Sequence, residues 1–209
     1  MPKWLIVVLK VGVHLACLLP VAWLVWGGYQ NTLGPDPTHT VTFFTGRGTL
    51  RLLAITLAIS PLRKMFPKRL GWLIKFRRLV GMYAFFYASL HLLTYVWLYA
   101  GLSLNAMVQD ISQRKFITAG LAAWLLLLPL AVTSTSWSIR KMGGKNWNRL
   151  HKLVYVAAVA GLVHYWWGVK PGVWRPLGIT LIIGVILLAR PLIAAWKRRE
   201  APVAVKIGG

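Results

Sequence analysis

The stretch RRLVGMYAFFYASLHLLTYVWLYA (77–100) decides the class of fold. Two arginines open it, and the 22 residues that follow, 79–100, carry no formal charge. A membrane span needs about 20 apolar residues, so Leu79–Ala100 reads as a transmembrane helix with a basic anchor at one end. His91 stands about twelve residues into it, hence about 18 Å from that end at 1.5 Å per residue. An ionisable side chain at such depth is costly and is a functional hypothesis by default.

Working outward, five further apolar runs accompany this one, giving expected spans at about 4–26, 49–62, 79–100, 116–133, 153–169 and 177–196. The second is short and carries Arg51; Gly46-Arg47-Gly48 marks its start and Ser60-Pro61 its break. The expectation is an all-α membrane protein, a six-helix transmembrane bundle forming one domain over 1–209. The first run follows Lys3 as a signal peptide would, but it exceeds twenty residues and ends in aromatics without a small-residue cleavage site, so it reads as a retained span.

Composition agrees. Of 209 residues 57% are hydrophobic, and only Asp36, Asp110 and Glu200 are acidic, too little polar surface to solvate a globule. The formal charge of +22 raises nucleic acid as a partner, yet every basic cluster abuts an apolar run, the pattern of headgroup anchors. Seven basic residues separate spans two and three (Arg63, Lys64, Lys68, Arg69, Lys75, Arg77, Arg78). Five separate spans four and five (Arg140, Lys141, Lys145, Arg149, Lys152), and five more follow at the C-terminal end (Arg190, Lys197, Arg198, Arg199, Lys206). With Lys3 and Lys10 that side holds nineteen, against five on the other: Arg47, Arg114, Lys115, Lys170 and Arg175. The positive-inside rule then places both termini in the cytoplasm. The single cysteine, Cys17, excludes an internal disulfide and a cysteine-ligated iron–sulfur cluster. No acid falls in a span, which removes carboxylate proton relays and carboxylate-bridged metals.

His164 lies near the outer end of span five, which runs in the same direction as span three, so it reaches a depth similar to that of His91. Ala84 and Ala88 share the His91 face; Ala157, Ala160 and Gly161 share that of His164. A membrane histidine beside small residues serves equally well as a hydrogen-bonded packing residue. Two at one depth on parallel spans favour the two axial positions of a haem iron. His151, thirteen residues before His164, lies about 20 Å below it, at either an inner cofactor level or a solvated interface. His14 reads as a hydrogen-bonded bundle residue and His39 as a loop residue. Arg47, Arg51, Arg77 and Arg78 suit propionates or flavin phosphates as guanidinium partners, and equally suit lipid anchoring.

The chain resembles the MsrQ (formerly YedZ) family, haem-binding membrane subunits of a periplasmic methionine sulfoxide reductase system. The resemblance runs through HLACLLPVAWLVW (14–26), FFTGRGTLRLLAITLAISPLRK (43–64), RRLVGMYAFFYASLHLLTY (77–95) and AVTSTSWSIRKMGGKNWNRLHKLVYVAAVAGLVHYWWGVK (131–170). That family is similar in turn to the membrane domain of ferric reductases, NADPH oxidases and STEAP metalloreductases, where spans three and five lend histidines to stacked haems.

The resemblance implies a ferric reductase-like bundle, N-in and C-in, in the bacterial inner membrane, with one haem b held by His91 and His164. Span five keeps both family histidines, His151 and His164, whereas span three has Arg77 where an inner ligand would stand. This departure leaves either FMN, which the family association implies, or a second haem for the inner level, with Arg77, Arg78 and His151 as the candidate residues of that site. It implies an electron-transfer subunit whose catalysis resides in a partner: electrons from the quinone pool or a flavin reductase pass to the periplasmic molybdenum-containing subunit MsrP for repair of methionine sulfoxide in proteins. No glycine fingerprint of a nucleotide-binding domain follows span six, in keeping with a separate donor. The alternatives are a self-sufficient transmembrane ferric or cupric reductase and a cofactor-free membrane protein.

Overall fold

The second helix departs furthest from its expected span. In the computed structural model, which describes residues 2–200, α2 runs Pro37–Met65, twelve residues longer at its start than the apolar run. Asp36 is its N-cap, accepting from the His39 N–H at 2.9 Å, and Pro37 fills the first helical position, where a missing N–H costs nothing. His39 is therefore a first-turn residue stacked on Phe43, not a loop residue. Gly46-Arg47-Gly48 lies inside the helix rather than at its start.

The other long helices fall where the apolar runs place them: α1 (Lys3–Tyr29), α4 (Ile74–Thr94), α6 (Lys115–Val132), α9 (Leu153–Gly168) and α10 (Leu177–Glu200). α4 continues as a π-helical turn, Tyr95–Tyr99. Short helices α3 (Pro67–Leu70), α5 (Leu104–Gln113), α7 (Ser136–Met142) and α8 (Gly144–Leu150) lie between them. Four segments of the described residues are long and apolar enough to cross a membrane: Lys3–Tyr29, Pro67–Tyr99, Lys115–Val132 and Leu177–Trp196. α9 falls short on length, at about 24 Å against a hydrocarbon core of about 30 Å. α2 is long enough but carries Arg47, Arg51, Arg63 and Lys64.

The chain turns after α1 because Asn31 takes φ 55° and closes a Schellman pair, Thr32 N–H to Gly27 O at 2.9 Å and Asn31 N–H to Gly28 O at 3.3 Å. Two helix pairs then form the body, α2 with α4 and α6 with α9, while α10 lies against α2 and α9. Their shared core comprises Leu50, Leu53, Ala54 and Leu57 from α2, Ala84 and Ala88 from α4, Leu127 and Leu130 from α6, and Ala157, Ala158 and Leu162 from α9. Ala84 and Ala158 are wholly buried, so the pairs meet over alanines that bring the backbones close. α1 is fastened by side chains of α4: Tyr87 donates to Cys17 O at 2.8 Å, and His14 Nδ1 meets Tyr83 Oη at 2.6 Å, the bundle hydrogen bond expected of that histidine.

Candidate functional site

His91 comes from α4 and His164 from α9, one from each pair, and their ring centroids lie 5.8 Å apart with planes at 78°. Each ring reaches across to the partner helix of its own pair. His91 Nδ1 lies 2.9 Å from the Thr42 carbonyl oxygen on α2, and His164 Nδ1 lies 2.6 Å from the Phe116 carbonyl oxygen on α6. A carbonyl oxygen only accepts, so Nδ1 carries the proton in both rings and each Nε2 keeps its lone pair. The Thr45 hydroxyl, 3.5 Å from His91 Nδ1, already donates to Val41 O and Thr42 O.

These rings head a cavity of about 500 Å³ between the helix pairs. Ala88, Ala157 and Gly161 line it as the small-residue faces suggest. Ala84 does not: it is buried in the core, and Ala160 is not a lining residue either. The cavity is apolar apart from the histidines, Thr42, Thr49, Tyr95, Tyr99, Tyr165, Arg47 and Arg114. α5, which lies between the expected spans three and four, borders one side of it. Ser103 caps α5 by accepting from the Ala106 N–H at 3.3 Å, and Met107 and Ile111 turn into the cavity. Tyr95, on the π-helical turn, donates to Asp110 at 3.0 Å, and Asp110 pairs with Arg114 at 3.1 Å, which ties α5 to α4.

Among the described residues no group of three or more His, Cys, Asp or Glu could hold a metal ion. Two imidazoles 5.8 Å apart, each with Nδ1 on a backbone carbonyl, beside an apolar slot suit an iron whose remaining ligands come from a macrocycle. Metal–imidazole bonds of about 2 Å put two axial rings roughly 6 Å apart, which is the spacing found. A second cavity, of about 380 Å³, adjoins the first and shares Arg47, Leu50 and Tyr165 with it. Arg51 and Arg175 complete a set of three guanidiniums there. Arg47 stands well inside α2 rather than at the start of a span, with Nε donating to Phe43 O at 3.2 Å.

At the other end of the bundle the residues proposed for an inner site separate. His151 closes α8 and stacks on Trp147 at 3.7 Å, and its Nδ1–H donates to Trp147 O at 3.0 Å. Its Nε2 lies 3.5 Å from the Ser134 hydroxyl oxygen. Burial and, after it, the charge of Arg77 hold this imidazole below its ordinary range, against the pull of carbonyl hydrogen bonds, so it is neutral at pH 7. Because α8 ends before α9 begins, the two histidines of this region do not stand on one straight helix. Arg77 is half-buried, and its carbonyl accepts from Thr56 at 2.9 Å. Arg78 is exposed and does not join it. Arg190, which by its place in the sequence belongs with the cytoplasmic anchors, instead joins this inner region. It lies within α10, over the Tyr155 ring at 4.7 Å and within electrostatic reach of Arg77. Its signal was a lone charge inside the apolar run 177–196. Lys206, from the same C-terminal charge group, lies outside the described residues.

The described residues form a helical bundle, and the ferric reductase like transmembrane component matches residues 39–162, a stretch that includes His91. The chain is 41% identical over 194 residues to the protein-methionine-sulfoxide reductase heme-binding subunit MsrQ of Herminiimonas arsenicoxydans, covering 92% of this chain and 88% of that one. It is 40% identical over 200 residues to the protein of the same name from Ralstonia nicotianae, covering 96% and 91%. Against that from Xanthomonas campestris pv. campestris it is 41% identical over 202 residues, covering 94% and 89%. The chain belongs to the MsrQ family, and it is a multi-pass membrane protein. No solved structure matches it.

Proposed function

We propose that this protein is the haem-binding, electron-transfer subunit of a periplasmic methionine sulfoxide reductase system, with one haem b per chain held axially by His91 and His164. The observation that carries the reading is the pair of imidazoles 5.8 Å apart, each with Nδ1 on a backbone carbonyl and Nε2 free. The names of the MsrQ relatives support the same cofactor. Haem iron, when bound, cycles by one electron between ferrous and ferric states. The protein's own contribution is to hold two neutral imidazoles at that spacing, to line the slot with small and apolar residues, and to exclude water from it. Arg47, Arg51 and Arg175 offer guanidiniums to an acidic edge of such a group.

One membrane domain spans 1–209 in this reading and crosses the bacterial inner membrane six times with both termini inside. The excess of basic residues on the side of the termini, which remains without Arg190, supports that orientation. FMN occupies the inner level, near Arg77 and His151 and the added Arg190, with Arg78 at the surface. Electrons enter from the quinone pool or a flavin reductase and leave to the periplasmic MsrP subunit, where methionine sulfoxide is reduced. The deciding experiment is the absorption spectrum and cofactor content of the purified chain, expressed with ample haem supply. A low-spin b-type spectrum at one haem per chain is expected; a colourless protein would overturn the assignment.

A further inference from the structure

We infer that Gly46 and Gly120 are positioning residues that hold the two axial imidazoles in crossed planes, an inference resting on the reading of His91 and His164 as haem ligands. The same arrangement occurs twice. On α2 the carbonyl of Thr42 receives His91 Nδ1–H at 2.9 Å, and the residue four positions on is Gly46. On α6 the carbonyl of Phe116 receives His164 Nδ1–H at 2.6 Å, and the residue four positions on is Gly120.

The spacing has a physical reason. Every Cα–Cβ bond of an α-helix tilts toward the N-terminus, so a side chain at i+4 overhangs the carbonyl of residue i. That carbonyl has a second lone pair beyond its helical bond, but a ring can reach it only if nothing overhangs. A Cβ on Gly120 would stand 2.6 Å from His164 Nδ1 and 2.8 Å from its Cε1. A Cβ on Gly46 would stand 3.0 Å from His91 Cε1 and 3.1 Å from its Nδ1. Each imidazole is thus seated on a glycine and pinned at one edge by a carbonyl, which removes its freedom to turn about the bond from iron to Nε2. The two pins fix the ring planes at 78°.

Crossed planes have an electronic signature. Parallel axial imidazoles donate π density into the same iron d orbital and split the π-type pair widely. Crossed imidazoles donate into different members of that pair and leave it nearly degenerate, which makes the ferric low-spin signal strongly anisotropic. A glycine whose role is only close packing would not set this line shape.

The test is low-temperature electron paramagnetic resonance of the oxidised, haem-loaded full chain in detergent, with haem counted per polypeptide. The wild-type protein is expected to give the strongly anisotropic low-spin signal. Gly120→Ala is expected to convert it to an ordinary rhombic low-spin signal and shift the haem midpoint potential. Gly46→Ala should do the same to a smaller extent, in keeping with its looser contact, and supplies the reading if Gly120→Ala does not accumulate. Gly184→Ala, on α10 with open space around its Cβ, should leave line shape and potential as they are. An ordinary rhombic signal from the wild-type protein would overturn the inference and leave the histidine assignment standing. Wild-type line shape in both alanine variants at full haem content would overturn it as well. Absence of any low-spin haem in the wild-type protein would overturn the ligand assignment itself.

Discussion

Arg190 donates through Nη2 to the carbonyl oxygen of Leu57 at 3.0 Å, and that carbonyl is the one Pro61 leaves without a helical donor. In a helix the Leu57 oxygen would accept from the N–H of residue 61, and proline has none. α10 thereby supplies the missing hydrogen bond to α2, while the guanidinium rests on Tyr155 of α9. Arg190→Met is expected to lower stability by about 1.5–3 kcal/mol, the range for a hydrogen bond to a charged group. Pro61→Ala returns an N–H to Leu57, so the same substitution should cost less in that background. Thermal unfolding in detergent across the four variants measures this coupling; equal costs in both backgrounds would show that the Leu57 bond is not what Arg190 contributes.

The axial assignment has its own test. His91→Ala and His164→Ala should each abolish the low-spin bis-histidine spectrum, because one ligand is lost from a site built for two. His14→Ala and His39→Ala should leave it unchanged, since their contacts are Tyr83 and the first turn of α2. An unchanged low-spin spectrum at full haem occupancy in either of the first pair would refute the assignment.

At the inner level, Arg77 and Arg78 should behave differently. Arg77→Gln is expected to lower FMN per polypeptide several-fold while sparing haem, and exposed Arg78→Gln to leave both near wild type. His151 is held below the ordinary imidazole range and is neutral at pH 7, so raising the pH further removes no charge from it. FMN retention should then stay flat from about pH 7 to about pH 9, because guanidiniums remain charged throughout. A fall across that range would assign the phosphate to a protonated histidine instead, and two haems per chain would exclude the flavin.

Topology can be read with reporter fusions. A fusion after Lys68 should be active only in the cytoplasm and one after Lys170 only in the periplasm, given the seven basic residues between the second and third apolar runs, 49–62 and 79–100. Periplasmic activity of the Lys68 fusion would invert the bundle.

Local order along the chain was enough to find the six long helices, because apolar runs must be helical where no water can satisfy the backbone. It was also enough to pair His91 with His164, since rise per residue converts position into depth. The early start of α2 was legible in Asp36-Pro37, and α5 in Ser103, but both precede stretches too polar to register as spans. Other features exist only once helices distant in sequence are side by side. Gly46 and Gly120 have no pattern that distinguishes them from ordinary packing glycines until imidazoles from α4 and α9 rest on them. Arg190 reads as a lipid anchor until it meets a carbonyl 133 residues away. Hydropathy and rise are properties of one helix, whereas open carbonyls, ring planes and orphaned acceptors depend on which two faces meet, and that is settled by packing alone.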